Sequence, residues 1–248
     1  ADYAKRKTWQ RRWGRMSETY GRASRSLLWG SVVTALSGMW TVVPLLLTVF
    51  APKLAARMRR RVSRRLLPEV RTHLSVRETE AGAKGQGLRT GFAIPEKAER
   101  VGTLLENIGL TRRFAKLVII LGHDSHSVNN PHFAAYACGA CGGRSGGPNA
   151  RLFARMANRR EVRELLRQRG IDIPDDTRFV GGVHDTCDDT IKLFDEEAVP
   201  EALWPQLAKQ KELLQRALAD NARERVRRFD AASLQLGPQQ ALEHVEER

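Results

Sequence analysis

The sequence predicts an α/β fold that contains a parallel sheet layer. Two short apolar runs, Lys116–Leu121 and Arg178–Val183, are typical of buried strands. A helical crossover over residues 149–169 separates them, and strands joined in this way lie parallel in one sheet. Basic and apolar helices precede this layer, and a long amphipathic helix follows it.

Length and composition exclude two classes of protein. A chain of 248 residues with 42% hydrophobic and 28% charged residues can bury a substantial core, so it is neither a disordered tail nor a disulfide-stapled miniprotein. The net charge of +14 is concentrated at the front, where residues 1–70 hold 15 basic and 3 acidic side chains. Three cysteines in a domain of ordinary size favour a reducing compartment.

The first 27 residues predict an amphipathic helix. Apolar residues recur at alternating spacings of four and three, which places them along one stripe of a helix. They are Trp9, Trp13, Met16, Tyr20, Ala23 and Leu27. A basic helix with such a stripe requires an apolar partner.

Residues 27–52 carry no charge and are long enough to span a bilayer. Gly30, Gly38 and Pro44 are expected to interrupt the segment. Both flanks are basic, and a single pass would move one of them across the membrane, against the tendency of Lys and Arg to stay in the cytoplasm. Three placements stay open: a membrane span, docking on a membrane surface or membrane partner, or burial as a core helix.

The Arg-rich run over residues 57–65 allows a solvated helix face, a contact with anionic lipid or a contact with nucleic acid. Since no aromatic residues interleave with the arginines, we expect no nucleic-acid partner. The glycine-rich stretch over residues 80–91 is typical of a connection and predicts a boundary near residue 90. The predicted organisation is a helical segment over 1–90, an α/β core over 91–200, and C-terminal helices over 201–248.

The elements of the core follow from periodicity and from helix-stop signals. A helix begins at Pro95 and closes at Gly109, and the first strand follows it. A glycine-dense loop leads to the crossover helix, which is expected to break near Asn158 and to stop at Gly170. After the second strand, residues 205–229 predict the long amphipathic helix.

Two residues in the core have the chemistry of zinc ligands. His123 comes directly after the first predicted strand, and Cys138 follows fifteen residues later in a glycine-rich loop. Imidazole nitrogen and thiolate sulfur are ligands that zinc prefers, and sites in parallel sheets form beyond the carboxyl ends of strands. The sequence therefore offers His123 and Cys138 as candidate metal ligands.

A rival site uses two paired motifs. Cys138-x-x-Cys141 and His184-x-x-Cys187 together supply four ligands at a spacing typical of structural zinc. Such a site would be closed, and the protein would then be a non-catalytic scaffold. Convergence of the four ligand atoms would distinguish this hypothesis from the first.

The order and spacing of several segments resemble the DabA family of inorganic carbon transporter subunits. The segments are Gly122–Pro131, Cys138–Gly143, Gly147–Arg151, Ile173–Thr177 and His184–Thr186. The resemblance covers the whole chain and is densest over residues 91–190. The family is much longer, so the resemblance implies that these 248 residues are an internal piece.

The resemblance implies a fold and a zinc site similar to those of β-carbonic anhydrases. His123 and Cys138 match the downstream ligand pair, while an upstream Cys-x-Asp-x-Arg motif is not found in the sequence. Asp124 stands where the family usually has Gly, and Cys187 where it usually has Thr, which weakens the four-ligand rival.

The activity implied is conversion of CO₂ to bicarbonate by zinc-bound hydroxide, coupled to energy-driven uptake of inorganic carbon. The implied partners are an integral-membrane cation-translocating subunit (DabB-like), the membrane surface, and CO₂ or bicarbonate. The implied location is the cytoplasmic face of the cell inner membrane, as a peripheral protein. With only two of the family's ligands, these 248 residues alone are expected to be inactive.

Overall fold

The structure is a computed structural model that describes residues 2–23, 25–51, 54–55, 58, 61–62, 72, 74, 91–125, 142–187, 189–230 and 232–246. The chain divides into two compact units, Ala1–His73 and Leu74–Arg248. The predicted boundary near residue 90 lies outside the described residues. Most of the Arg-rich run over 57–65 also lies outside them.

The first unit contains helices α1 (Asp2–Ala23) and α2 (Leu27–Phe50). The predicted stripe lies on α1 as far as Ala23, but the assignment of Leu27 to it was wrong, since Leu27 begins α2. Ser26 has an extended backbone, and its carbonyl accepts the first helical bond, from the Gly30 amide at 2.6 Å. Because Ser26 is extended, the helical periodicity of α1 does not continue into α2, and Leu27 therefore leaves the stripe.

Helix α2 is continuous, so the expected interruptions at Gly30, Gly38 and Pro44 were wrong. Gly and Pro lower the stability of a helix, but a helix can contain them when its other backbone hydrogen bonds are formed. Three hydroxyls of α2 donate to carbonyls one turn earlier: Ser37 to Thr34, Thr41 to Gly38, and Thr48 to Pro44. The span Gly30–Phe50 is long and apolar enough to cross a membrane. Apart from Gly30, which is buried, its residues are exposed or half-buried within the structure.

Within the described residues, the second unit is built on a three-stranded sheet of order β1-β2-β3: β1 (Leu117–Asp124), β2 (Arg178–Asp185) and β3 (Thr190–Leu193). β1 and β2 are parallel, as predicted. β3 pairs antiparallel with β2, so the sheet is mixed, whereas the sequence predicted a parallel layer. The connection from β2 to β3 is short, which permits only an antiparallel return.

Helices cover both faces of the sheet. On one face lie α3 (Ile94–Asn107), α4 (Gly147–Ala157) and α5 (Arg160–Gln168), which form a core with Phe179 and, at its margin, Ile120. On the other face, Val180 and Leu193 pack with Leu203 and Leu207. Leu203 closes a 3₁₀ turn, and Leu207 lies on α6 (Trp204–Val226), against which α7 (Pro238–Glu246) packs.

The helix stops were predicted correctly. Gly109 and Gly170 have φ values of +72° and +80°, the left-handed conformation that glycine adopts at little cost. The crossover breaks between α4 and α5 at Asn158, as expected. The Asn158 side chain donates to the Phe179 carbonyl at 2.8 Å and accepts from its amide at 2.9 Å, which ties the break to β2.

Candidate functional site

The carboxyl ends of β1 and β2 meet at one edge of the sheet. His123 is the register partner of His184, and Asp124 is that of Asp185. The prediction that His123 comes after the strand was wrong, because β1 continues to Asp124. The two strands extend two to three residues further than their apolar runs because main-chain pairing does not require apolar side chains.

His123 and His184 lie on the same face of the sheet. Side chains alternate along a strand, and Ile119 and Val180 belong to the core beneath α6. By alternation, His123 and His184 project toward that same side. His123 is exposed, so its ring is accessible at the end of the strand.

The main chain at His123 is held by the turn that begins α4. The Gly146 amide donates to the His123 carbonyl at 2.7 Å. A Cβ on Gly122 would lie 2.3 Å from the carbonyl carbon of Gly146, so only glycine allows the two backbones to approach this closely. Gly122 begins one of the segments that carry the family resemblance, and its packing against Gly146 explains why glycine is required there.

His184 belongs to a buried polar cluster centred on Asp189. The Asp189 side chain is 1% exposed, and its Oδ1 lies 3.3 Å from His184 Nε2. Asn221 donates to the same oxygen at 3.1 Å, and Arg225 donates to Oδ2 at 2.5 Å. Arg225 also donates to the Thr186 carbonyl at 2.8 Å, so α6 fixes the turn between β2 and β3.

Cys187 lies in that turn as a free, half-buried thiol. Its Sγ is 3.0 Å from Ser125 Oγ, and its amide donates to Asp185 Oδ1 at 3.1 Å. Asp124 is buried, its carbonyl accepts from the Thr186 amide at 3.0 Å, and it takes the extended conformation of the strand. Asp124 therefore fits at this position without backbone strain.

Cys138 and Cys141 lie outside the described residues. The pairing of His123 with Cys138, and the four-ligand alternative, therefore stay predictions. Within the part of the chain that the structure describes, no group of three or more His, Cys, Asp or Glu side chains is placed to hold a metal ion. The described half of the four-ligand set, His184 and Cys187, already contacts Asp189 and Ser125.

Sequence reasoning missed one ion pair, between Arg151 and Asp195, that supports the turn at the start of α4. Arg151 Nε donates to Asp195 Oδ2 at 2.8 Å, and its Nη2 donates to Oδ1 at 2.5 Å. This bond raises the pKa of Arg151 above its ordinary value. Asp195 has φ +53°, and the neighbouring Phe194 ring packs against Gly147 at the start of α4. Arg151 stands in the Gly147–Arg151 segment, yet no sequence signal identifies a partner 44 residues away.

The fold and the strand-end residues define a mixed α/β protein whose polar groups gather at the carboxyl end of a parallel strand pair. The chain belongs to the DabA family: the model of the family "Probable inorganic carbon transporter subunit DabA" matches residues 1–248.

Three curated relatives illustrate the match. Two of them, the DabA 2 and DabA 1 subunits of Sorangium cellulosum, are 50% and 48% identical to it, each over 98% of this chain. The DabA subunit of Methylococcus capsulatus is 44% identical over 90% of it. The chain spans 24% of the length of each Sorangium relative and 21% of the Methylococcus relative.

No solved structure matches the chain. The implied likeness to β-carbonic anhydrase therefore stays a prediction.

Proposed function

We propose that the polypeptide to which this chain belongs converts CO₂ to bicarbonate at a zinc ion, within an energy-coupled complex that takes up inorganic carbon. His123 and Cys138 would be two of the ligands. The observation that carries the proposal is the position of His123: its imidazole is exposed at the carboxyl end of a parallel strand, where sites of α/β proteins form. Family membership supports the transport role.

Among the described residues, His123 has both the chemistry and the position of a zinc ligand. Neutral imidazole is a common zinc ligand, and its strand fixes its direction of approach. A catalytic zinc site has three protein ligands and an open fourth position, so Cys138 and a further ligand must complete the set. When bound, zinc would supply a Lewis acid that activates water for attack on CO₂.

The chain's own residues position His123. The Gly146 bond fixes the His123 carbonyl, and the close packing of Gly122 on Gly146 leaves the strand end little freedom to shift. Arg151 and Asp195 hold Phe194, which packs on Gly147 in the same turn. Such support matters because metal sites depend on ligands held close to one geometry.

We further propose that α2 docks on the membrane or on an integral-membrane, cation-translocating (DabB-like) subunit, at the cytoplasmic face of the inner membrane. The exposed apolar side chains of α2 support this assignment, Trp40 being 83% and Phe50 80% exposed. The hydroxyls of Ser37, Thr41 and Thr48 donate within their own helix, which suits an apolar surrounding. The ion gradient carried by such a partner would make hydration effectively one-way.

The alternative is a non-catalytic scaffold with a closed zinc site formed by Cys138, Cys141, His184 and Cys187. The two hypotheses share Cys138 and differ in the histidine. In the complete polypeptide, His123→Ala is expected to abolish both zinc binding and carbon uptake, whereas His184→Ala should retain zinc. Zinc content by mass spectrometry and CO₂-dependent growth measure the two effects. Loss of zinc in His184→Ala with retention in His123→Ala would support the scaffold and overturn the proposal.

A further inference from the structure

We propose that β1 is an interior strand of the complete sheet, and that its outer edge pairs with an extended segment from the remainder of the DabA polypeptide. Among the residues that the structure describes, β1 stands at the end of the order β1-β2-β3. The inference concerns the architecture of the family polypeptide and does not depend on zinc or on the proposed reaction.

The first observation is the direction of the main-chain groups of β1. Lys116 O accepts from the Arg178 amide at 2.8 Å, and Asp124 O accepts from the Thr186 amide at 3.0 Å. The main-chain N–H and C=O groups of the even-numbered residues of β1 therefore face β2. Those of Leu117, Ile119 and Leu121 face the opposite edge. Among the residues that the structure describes, no backbone group bonds to these outward groups.

The second observation is that, among the described residues, this edge has no protecting feature before His123, whose outward carbonyl accepts from the Gly146 amide. Natural edge strands are kept short, or carry charge, proline or a bulge, because an open row of amides invites pairing. β3, the other edge strand, has four residues and includes Lys192. β1 has eight residues, and its apolar run from Leu117 to Leu121 has no charge or proline. Such a continuous apolar run is typical of a parallel strand inside a sheet.

The third observation is an apolar groove along the same edge. A groove of about 940 Å³ is lined by four consecutive residues of β1, from Ile120 to His123, together with side chains of α3 and α4. Consecutive strand residues point to opposite faces, so a groove that touches all four runs along the edge of the strand. Leu104 and Leu121 are 38% and 39% exposed in it. An added strand would cover both.

The occupant that fits these features is an extended polypeptide segment. Lipid cannot satisfy a row of amide and carbonyl groups. A second copy related by a two-fold axis would place β1 antiparallel to itself, which is a poor match for a run typical of parallel interior strands. The chain spans only 24% of the length of its Sorangium relatives, so the family polypeptide contains ample further sequence to supply a strand.

The test is hydrogen–deuterium exchange at single-amide resolution on the complete polypeptide. The amides of Val118 and Ile120, which bond to β2, are the internal reference for the outward amides of Ile119 and Leu121. If β1 is interior, the two sets exchange at similar rates. If β1 is an edge, the outward amides exchange at least about 100-fold faster, which overturns the proposal.

Two further outcomes would also overturn it. Protection of Ile119 and Leu121 that disappears on dilution, together with a dimer-to-monomer change in mass, would assign the edge to a second copy. Protection that appears only when the membrane subunit is added would assign it to that partner.

A variant pair adds an independent readout. Ile119→Pro removes an outward amide without removing a bond to β2, whereas Ile119→Ala keeps the amide. In the complete polypeptide, the proline variant should raise the exchange rate of Leu121 at least about tenfold over the alanine variant, with Ile120 still protected. Equal rates for Leu121 in the two variants would contradict the pairing. If the proline variant does not fold, exchange in the unsubstituted protein still decides.

Discussion

The carbonyl of His123 accepts a 2.7 Å hydrogen bond from the amide of Gly146, which joins the end of β1 to the first turn of α4. This bond brings together two parts of the sequence that are 23 positions apart. It also places a glycine-rich turn directly against the residue that we propose as a zinc ligand. The turn therefore has a packing role that can be tested separately from metal chemistry.

Gly122→Ala should displace this turn. The added Cβ would lie 2.3 Å from the Gly146 carbonyl carbon, and backbone at that distance must move. We expect a loss of about 2 kcal/mol in the free energy of unfolding, measured by urea denaturation. In the complete polypeptide we also expect at least about tenfold weaker zinc binding, because a shifted strand end misplaces its ligand. Gly237→Ala, whose Cβ would meet only Gln240 at 3.7 Å, is the matched control. Equal stability of the two variants would contradict the packing argument.

Asp189→Ala should destabilise the second unit strongly. The carboxylate is buried and accepts from Arg225 and Asn221, and its removal leaves a half-buried guanidinium without its partner. We expect a loss of about 3 kcal/mol in unfolding free energy, with a smaller loss for Asp189→Asn, which keeps the shape and tolerates the positive φ of +50°. Asp220→Ala, at an exposed position of α6, should change stability by less than about 0.5 kcal/mol. Thermal and urea unfolding measure all three, and a small effect of Asp189→Ala would show that the cluster does not stabilise the fold.

Replacement of Leu36, Trp40 and Val43 by Ser should weaken docking of α2. These side chains are 53%, 83% and 61% exposed, and each would bury apolar area worth roughly 1.5–3 kcal/mol. Binding should be measured both by flotation with anionic lipid vesicles and by co-purification with the membrane subunit. In at least one of these assays the bound fraction should fall by about tenfold or more. Leu213→Ser, an exposed leucine of α6, is the control. Unchanged binding in both assays, with α2 still helical, would remove the docking assignment.

The 248-residue chain alone should bind zinc weakly and show no CO₂ hydration. It carries two of the ligands that we propose, and catalytic zinc requires three. The complete polypeptide should bind one zinc ion, measured by metal analysis alongside a CO₂ hydration assay. Stoichiometric zinc and full activity in the shorter chain would show that all the ligands lie within it.

Local patterns in the sequence were sufficient for the helices and for the parallel strand pair. Gly109 and Gly170 follow helices because glycine adopts positive φ at little cost. A glycine that follows a helical pattern is visible within one short window of sequence. The break near Asn158 was also predicted, and its physical basis is different: a side chain that competes for backbone hydrogen bonds disfavours the helix interior. Sequence reasoning misplaced the ends of the strands and missed β3, because backbone pairing continues where apolar patterning stops.

By itself, the sequence determined the α/β class, the basic and apolar front helices, family membership, and the choice of His123 and Cys138 as candidate ligands. Only the tertiary structure decided that His123 is the register partner of His184, that Asp189 gathers Arg225 and Asn221, and that Arg151 pairs with Asp195. The physical reason is the range of the interactions. Propensity and periodicity act over a few residues, whereas these pairs join residues 32 to 61 positions apart, and chain packing alone brings them together.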